Sequence, residues 1–74
     1  MECYELHNDI KAIRVRQSLS QSELADRVDV TRQTIAAIEK GDYSPSVLLA
    51  LKLAAALATP INKLFWLQGD THEN

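Results

Sequence analysis

Thr31, Arg32, Gln33 and Thr34 set a hydroxyl, a guanidinium, a carboxamide and a second hydroxyl in one unbroken run. None of these groups is a good acid, base or nucleophile at neutral pH. Their chemistry is directional hydrogen bonding: a rigid fork of donors from arginine, and a donor beside an acceptor from glutamine. Such groups pair with flat polar edges and with anions.

The elements that must position them are legible on both sides. Ser20 with Glu23 three residues on is a capping box, and Leu24 and Val28 then fall one turn apart on a buried stripe. This second helix is short and ends at Val28 or Asp29. After a tight turn, Thr31 caps a third helix in which Ile35 and Ile38 face inward, and Gly41 is its natural left-handed stop. Arg32 and Gln33 therefore lead a helix that a preceding helix holds out at an angle. That arrangement suits a DNA major groove, where arginine matches guanine and glutamine matches adenine.

Three further helices complete the pattern. Asn8 or Asp9 caps a first helix, with Ile10 and Ile13 on one face and Lys11, Arg14 and Arg16 on the others, stopping near Ser18. Tyr43-Ser44-Pro45-Ser46 is a turn, with Ser46 the cap of a fourth helix. Thr59-Pro60 restarts the chain, with proline at the first helical position, and a fifth helix carries Ile61, Leu64 and Phe65 at one-turn spacing. Residues 1–7 and 68–74 give no periodic signal and are expected to be an N-terminal arm and a C-terminal tail around a domain at residues 8–67.

The fourth helix has too much apolar surface for one core. Residues 47–58 hold Lys52 as their single charge. Leu49, Leu53, Ala54 and Leu57 are assigned to the core, which leaves Leu48, Leu51 and Ala55 on another face, with Phe65, Trp66 and Leu67 nearby. Single surface leucines are ordinary, but several together point to a protein interface. Leu48, Leu51, Phe65, Trp66 and Leu67 are the expected dimer contacts.

Composition limits the alternatives. Seventy-four residues make one thin domain, with a core that gives only a few kcal/mol of net stability. The single cysteine, Cys3, excludes an intrachain disulfide and a thiolate zinc cluster, and favours a reducing, cytoplasmic setting. Cys3 is read as an unreactive thiol. No stretch is long and charge-free enough to span a membrane, and the N-terminus begins Met1-Glu2 rather than with a basic region and an apolar run, so no leader is expected. The net charge of −2 counts against a nucleic-acid partner, but residues 11–40 hold six basic against four acidic side chains. The local field at the docking face is what attracts phosphate.

No catalytic constellation stands out. His7 and His72 lie near opposite ends without ligand-spaced cysteines, so no metal is expected. Gly41 and Gly69 are the only glycines, so there is no phosphate-cradling loop. Five short helices leave little room for a substrate cavity. The chain is read as neither an enzyme nor a cofactor carrier.

At this point the chain resembles the phage-repressor and Cro type of helix-turn-helix regulators, the Xre-like family. The matching residues are Leu19-Ser20-Gln21, Glu23-Leu24-Ala25, Val30 to Ile35, Ile38-Glu39-Lys40-Gly41, Pro45-Ser46, Leu53-Ala54 and Leu64-Phe65. The likeness covers about residues 8–67, well beyond a bare two-helix motif. It implies an all-α, compact five-helix domain with the third helix as recognition helix.

By the same resemblance Gln21 sits on a phosphate, Arg32 and Gln33 reach base edges, and Thr31, Thr34 and Lys40 serve the backbone or a neighbouring base. Ala36 and Ala37 stand where relatives carry polar base-reading residues, which implies a short direct readout supplemented by methyl contacts or DNA shape. Arg14 and Glu39 match a partly buried ion pair that ties helix one to the end of helix three. Asp29 replaces the usual turn glycine, a modest cost in stability.

The leading expectation is a sequence-specific double-stranded DNA-binding regulator, a repressor, acting as a homodimer on two half-sites. The rival is an interaction module of the same fold, such as an antitoxin that neutralises a toxin through helices four and five. The acidic balance and apolar fourth helix favour the rival, while Arg32-Gln33 behind a capped Thr31 favours DNA.

Overall fold

The structure is a computed structural model and describes residues 4–69. Cys3, His72 and the outermost parts of the expected arm and tail lie outside the described residues. Five helices are present: α1 (Ile10–Arg16), α2 (Gln21–Arg27), α3 (Arg32–Lys40), α4 (Val47–Ala56) and α5 (Ile61–Leu64). The chain is not purely helical, however. Strand β1 (Tyr4–Asn8) precedes them and β2 (Phe65–Gly69) follows, paired antiparallel with Leu6 opposite Leu67 and His7 opposite Trp66.

Local chemistry accounts for the helix boundaries. Ser20 Oγ accepts from Glu23 N–H at 3.0 Å while Glu23 Oε1 accepts from Ser20 N–H at 2.8 Å, so the capping box at α2 is closed in both directions. Thr31 and Ser46 accept from the backbone N–H of Thr34 and Leu49 in the same way at α3 and α4. At α1 the work is divided. Asp9 holds the capping position without a side-chain bond, and Asn8 Oδ1 accepts the Ile10 N–H instead. Gly41 closes α3 at φ 84°, while Ser18, Asp29 and Ala58 enter the same left-handed region without being glycine. For Asp29 this is the conformation the family's turn glycine would supply, at a cost on the order of 1 kcal/mol.

The capping box carries a pH dependence. Its hydrogen bonds from the Ser20 backbone and then the Ser20 side chain hold the Glu23 carboxyl below its ordinary value of 4.5. A depressed carboxylate contributes stability that is fully present above that value and is lost as the pH falls from there through the lowered folded-state value. Thermal melts at descending pH should therefore show a component of acid destabilisation that Glu23→Gln removes.

The core is one cluster of inward-facing residues from every helix: Ile10, Ile13, Leu19, Leu24, Ala25, Val28, Ile35, Ile38, Leu49, Leu53, Leu57 and Leu64. Ala54 and Phe65 pack partly buried against it.

Three expectations need correction at the chain ends. Residues 4–8 are not an arm but a strand, in which Tyr4 and Leu6 alternate with Glu5 and His7. The fifth helix stops at Leu64, with Phe65 already extended at φ −132°, ψ 144°. Phe65, Trp66, Leu67 and the first two residues of the expected tail belong to β2, because an aromatic and β-prone run pairs better with β1 than it propagates a helix. Pro60 sits in the capping position rather than at the first helical one, and Ile61 is exposed. The Tyr4 ring lies over Gly69, in space that a Cβ there would occupy.

A candidate nucleic-acid interface

Helix α3 is amphipathic in the plain sense. Ile35 and Ile38 are buried, while Arg32, Gln33 and Lys40 are exposed and Thr34, Ala36 and Ala37 are half-buried. At 100° per residue, Arg32, Gln33, Ala36, Ala37 and Lys40 fall on one outward face. The two alanines leave the middle of that face low, with longer polar side chains at both ends. A surface shaped like this can approach the floor of a groove closely.

A hydrogen-bond network underlies the face. Arg14 Nε lies 2.7 Å from Glu39 Oε2 and Arg14 Nη2 lies 3.2 Å from Glu39 Oε1. Arg14 Nη1 donates to the Leu19 carbonyl at 2.8 Å. The two side chains are only 9% and 4% exposed, so the pair is more deeply enclosed than the partly buried pair the resemblance implies. A buried guanidinium needs a partner at each of its nitrogens, as here, since a nitrogen left with none would carry its desolvation cost. The pair joins α1 to the last turn of α3.

Glu39 Oε1 also accepts from Gln21 Nε2 at 3.0 Å, and Gln21 Oε1 accepts from Arg32 Nη1 at 3.3 Å. The carboxylate takes only donors, so it fixes the Gln21 amide with nitrogen inward and oxygen outward. The outward oxygen then meets the Arg32 guanidinium. Gln21 thus stands at the start of α2 as expected for a phosphate contact, with one amide N–H engaged by Glu39 and its oxygen accepting from Arg32. In this arrangement its amide steadies Arg32, and the α2 N-terminus is left to offer backbone N–H groups to an anion.

Thr31 and Thr34 hydroxyls lie 3.1 Å apart, tying the first turn of α3 together. Gln33 and Lys40 project from the same face into solvent, and Ala36 and Ala37 add methyl surface between them. Sequence reasoning did not find the link from Glu39 through Gln21 to Arg32. The residue types were visible, but their convergence depends on how α1, α2 and α3 cross.

The expected dimer residues fall into two patches. Leu48 and Leu51 are 65% and 52% exposed on α4, next to exposed Val47. Leu67 and Trp66 are exposed on β2, but on opposite faces of the sheet, and Phe65 is half-buried against the core. Leu67 shares its face with Leu6 and Tyr4, whereas Trp66 stacks on His7 at 6.3 Å between ring centres. Among the described residues no group of three or more His, Cys, Asp or Glu gathers to hold a metal, and no helix is long and apolar enough to cross a membrane.

Comparison with known proteins supports a helix-turn-helix assignment. The family described as Helix-turn-helix matches residues 10–64. The chain is 51% identical over 65 residues to the uncharacterized HTH-type transcriptional regulator YgzD of Bacillus subtilis, covering 88% of this chain and 98% of that protein. It is 38% identical over 55 residues to the cryptic phage CTXphi transcriptional repressor RstR of Vibrio cholerae, covering 74% of this chain and 50% of the repressor. Among solved structures, the restriction-modification controller protein C.AhdI of Aeromonas hydrophila superposes with a TM-score of 0.69 at 30% identity. That match covers 73% of this chain and 78% of the controller.

Proposed function

Since the chain belongs to the phage-repressor and Cro type of helix-turn-helix family, the Xre-like transcriptional regulators, we propose that it is a sequence-specific double-stranded DNA-binding repressor. It acts as a homodimer with α3 in the major groove. The observation that carries this reading is the outward face of α3, where Arg32 is steadied by Gln21 and Gln33 stands beside it. Arg32 and Gln33 read base edges, Thr31, Thr34 and Lys40 meet the backbone or an adjacent base, and Ala36 and Ala37 let the helix sit deep. The α2 N-terminus at Gln21 takes a phosphate through its backbone N–H groups.

One α3 reads only a few base pairs. Two copies related by a two-fold axis would read half-sites about one helical turn apart. The support for pairing is the exposed apolar sheet face formed by Tyr4, Leu6 and Leu67, together with Leu48 and Leu51 on α4.

The test is binding of Arg32→Ala and Gln33→Ala to duplexes selected from a random pool and to scrambled controls. Each variant is expected to lose roughly 1–3 kcal/mol of discrimination at the base pair its side chain reads. Retention of wild-type preference by both would overturn the placement of α3.

A protein partner such as a toxin is the second reading, and the exposed Val47, Leu48 and Leu51 favour it. If Leu48→Glu leaves both self-association and operator binding unchanged, that face is open to such a partner.

A further inference from the structure

Asn8 stands where four elements meet. It is the last residue of β1, opposite Phe65 at the start of β2. Its Oδ1 accepts the Ile10 N–H at 3.1 Å, which caps α1. Its Nδ2 donates to the Ile38 carbonyl at 2.9 Å, thirty residues away in the last turn of α3. The adjacent Asp9 N–H reaches the Leu64 carbonyl at the end of α5 at 3.0 Å.

The two ends of the Asn8 amide are chemically distinct, and both are used. Ile38 O also accepts from Gly41 N–H at 3.0 Å, so the tether completes the acceptor capacity of a carbonyl the helix itself leaves partly open. Only a side chain with an acceptor and a donor at this reach can cap α1 and hold α3 together. An aspartate keeps the cap and loses the tether.

From this geometry we propose that Asn8 is a positioning residue for DNA reading, through which the two-stranded sheet fixes the tilt of α3. It touches no base and no phosphate. Helix α3 has nine residues, so it is about 13 Å long, and a tilt of about 5° at its C-terminal end displaces Arg32 and Gln33 by about 1 Å. Shifts of that size are enough to spoil paired, two-bond base contacts. Glu39, held by Arg14, fixes the rotation of the same turn, and Asn8 fixes its axis against the sheet. The inference rests on the proposed role of α3 in reading DNA.

The experiment compares wild type with Asn8→Asp, Asn8→Ser and, as a control of similar melting temperature, Ser46→Ala, which removes the α4 cap. Serine at position 8 can serve the Ile10 N–H but does not span to Ile38. Two readouts are taken at a temperature where all four are folded. The first, without DNA, is amide hydrogen exchange through the last turn of α3 and its cap: residues 38–42 are expected to exchange faster in both Asn8 variants and not in the control. The second is the ratio of affinities for a selected and a scrambled duplex. It is expected to fall about tenfold in both Asn8 variants, with the salt dependence unchanged because no phosphate contact is lost.

Unchanged exchange in α3 would overturn the tether. Faster exchange with an unchanged ratio, or an equal fall in the Ser46→Ala control, would overturn the positioning role while leaving α3 as the reading helix. A wild-type protein that prefers no duplex would overturn the DNA reading itself, and with it this proposal, even if exchange in α3 responds.

Discussion

Glu39→Ala is expected to lower stability by about 3–5 kcal/mol, because it strands the Arg14 guanidinium in a site where that side chain is 9% exposed. A domain of this size holds only about 4–11 kcal/mol in total, so the variant should melt far below the wild type. Arg14→Ala should be comparably damaging, since it leaves the Glu39 carboxylate with the Gln21 amide as its remaining side-chain donor.

The double variant Arg14→Met with Glu39→Leu is expected to be less damaged than either alanine single. Apolar groups of similar volume remove both charges from the interior at once. It should nevertheless read DNA poorly. Without Glu39 the Gln21 amide is free to turn, and the acceptor that steadies Arg32 is no longer fixed. Differential scanning calorimetry of the three variants checks the first part, and duplex discrimination checks the second. A double variant as unstable as the singles would show that packing, not unpaired charge, sets the cost.

The second large effect concerns pairing of two chains. Leu6 and Leu67 are direct cross-strand neighbours, 37% and 64% exposed on one sheet face. Replacing them together, Leu6→Lys with Leu67→Glu, removes apolar surface while placing opposite charges where they support the ladder. The fold and its helical content should persist. Sedimentation is expected to show monomers at micromolar concentration, and affinity for a two-half-site operator should fall about a hundredfold or more, because the second half-site is no longer held at high local concentration. Affinity for a single half-site should be nearly unchanged. A doubly charged variant that still dimerises and binds a full operator tightly would place the interface elsewhere, with Leu48 and Leu51 as the next surface to test.

The α2–α3 pair was legible in the sequence because capping chemistry is local. Ser20 with Glu23, Thr31 with Thr34, and Gly41 each act within four residues, and a reader can place them without knowing the fold. The sheet was not legible for the opposite reason. Its two strands are five residues each and lie at opposite ends of the chain, so neither shows its partner. A signal was present all the same. Tyr4-Glu5-Leu6-His7 alternates apolar and polar residues with a period of two, and Phe65-Trp66-Leu67 is a run that favours strand over helix. Placing Phe65 as the next turn of α5 hid both. The Gln21 relay lay beyond local reasoning too, because it needs the crossing of three helices.

The pairing of the chain's two outer segments also orders how the molecule comes together and apart. A ladder between residues so distant must wait until the helices have drawn the ends near, since closing a loop of roughly sixty residues from an open chain costs on the order of 4 kcal/mol. The strands therefore form late. In the reverse direction the ladder frays from its Tyr4–Gly69 end toward Asn8–Phe65, where the helices hold it. Local opening at that outer end requires no loss of the helical core, so the face proposed for self-association can come and go on a faster clock than the helical domain itself.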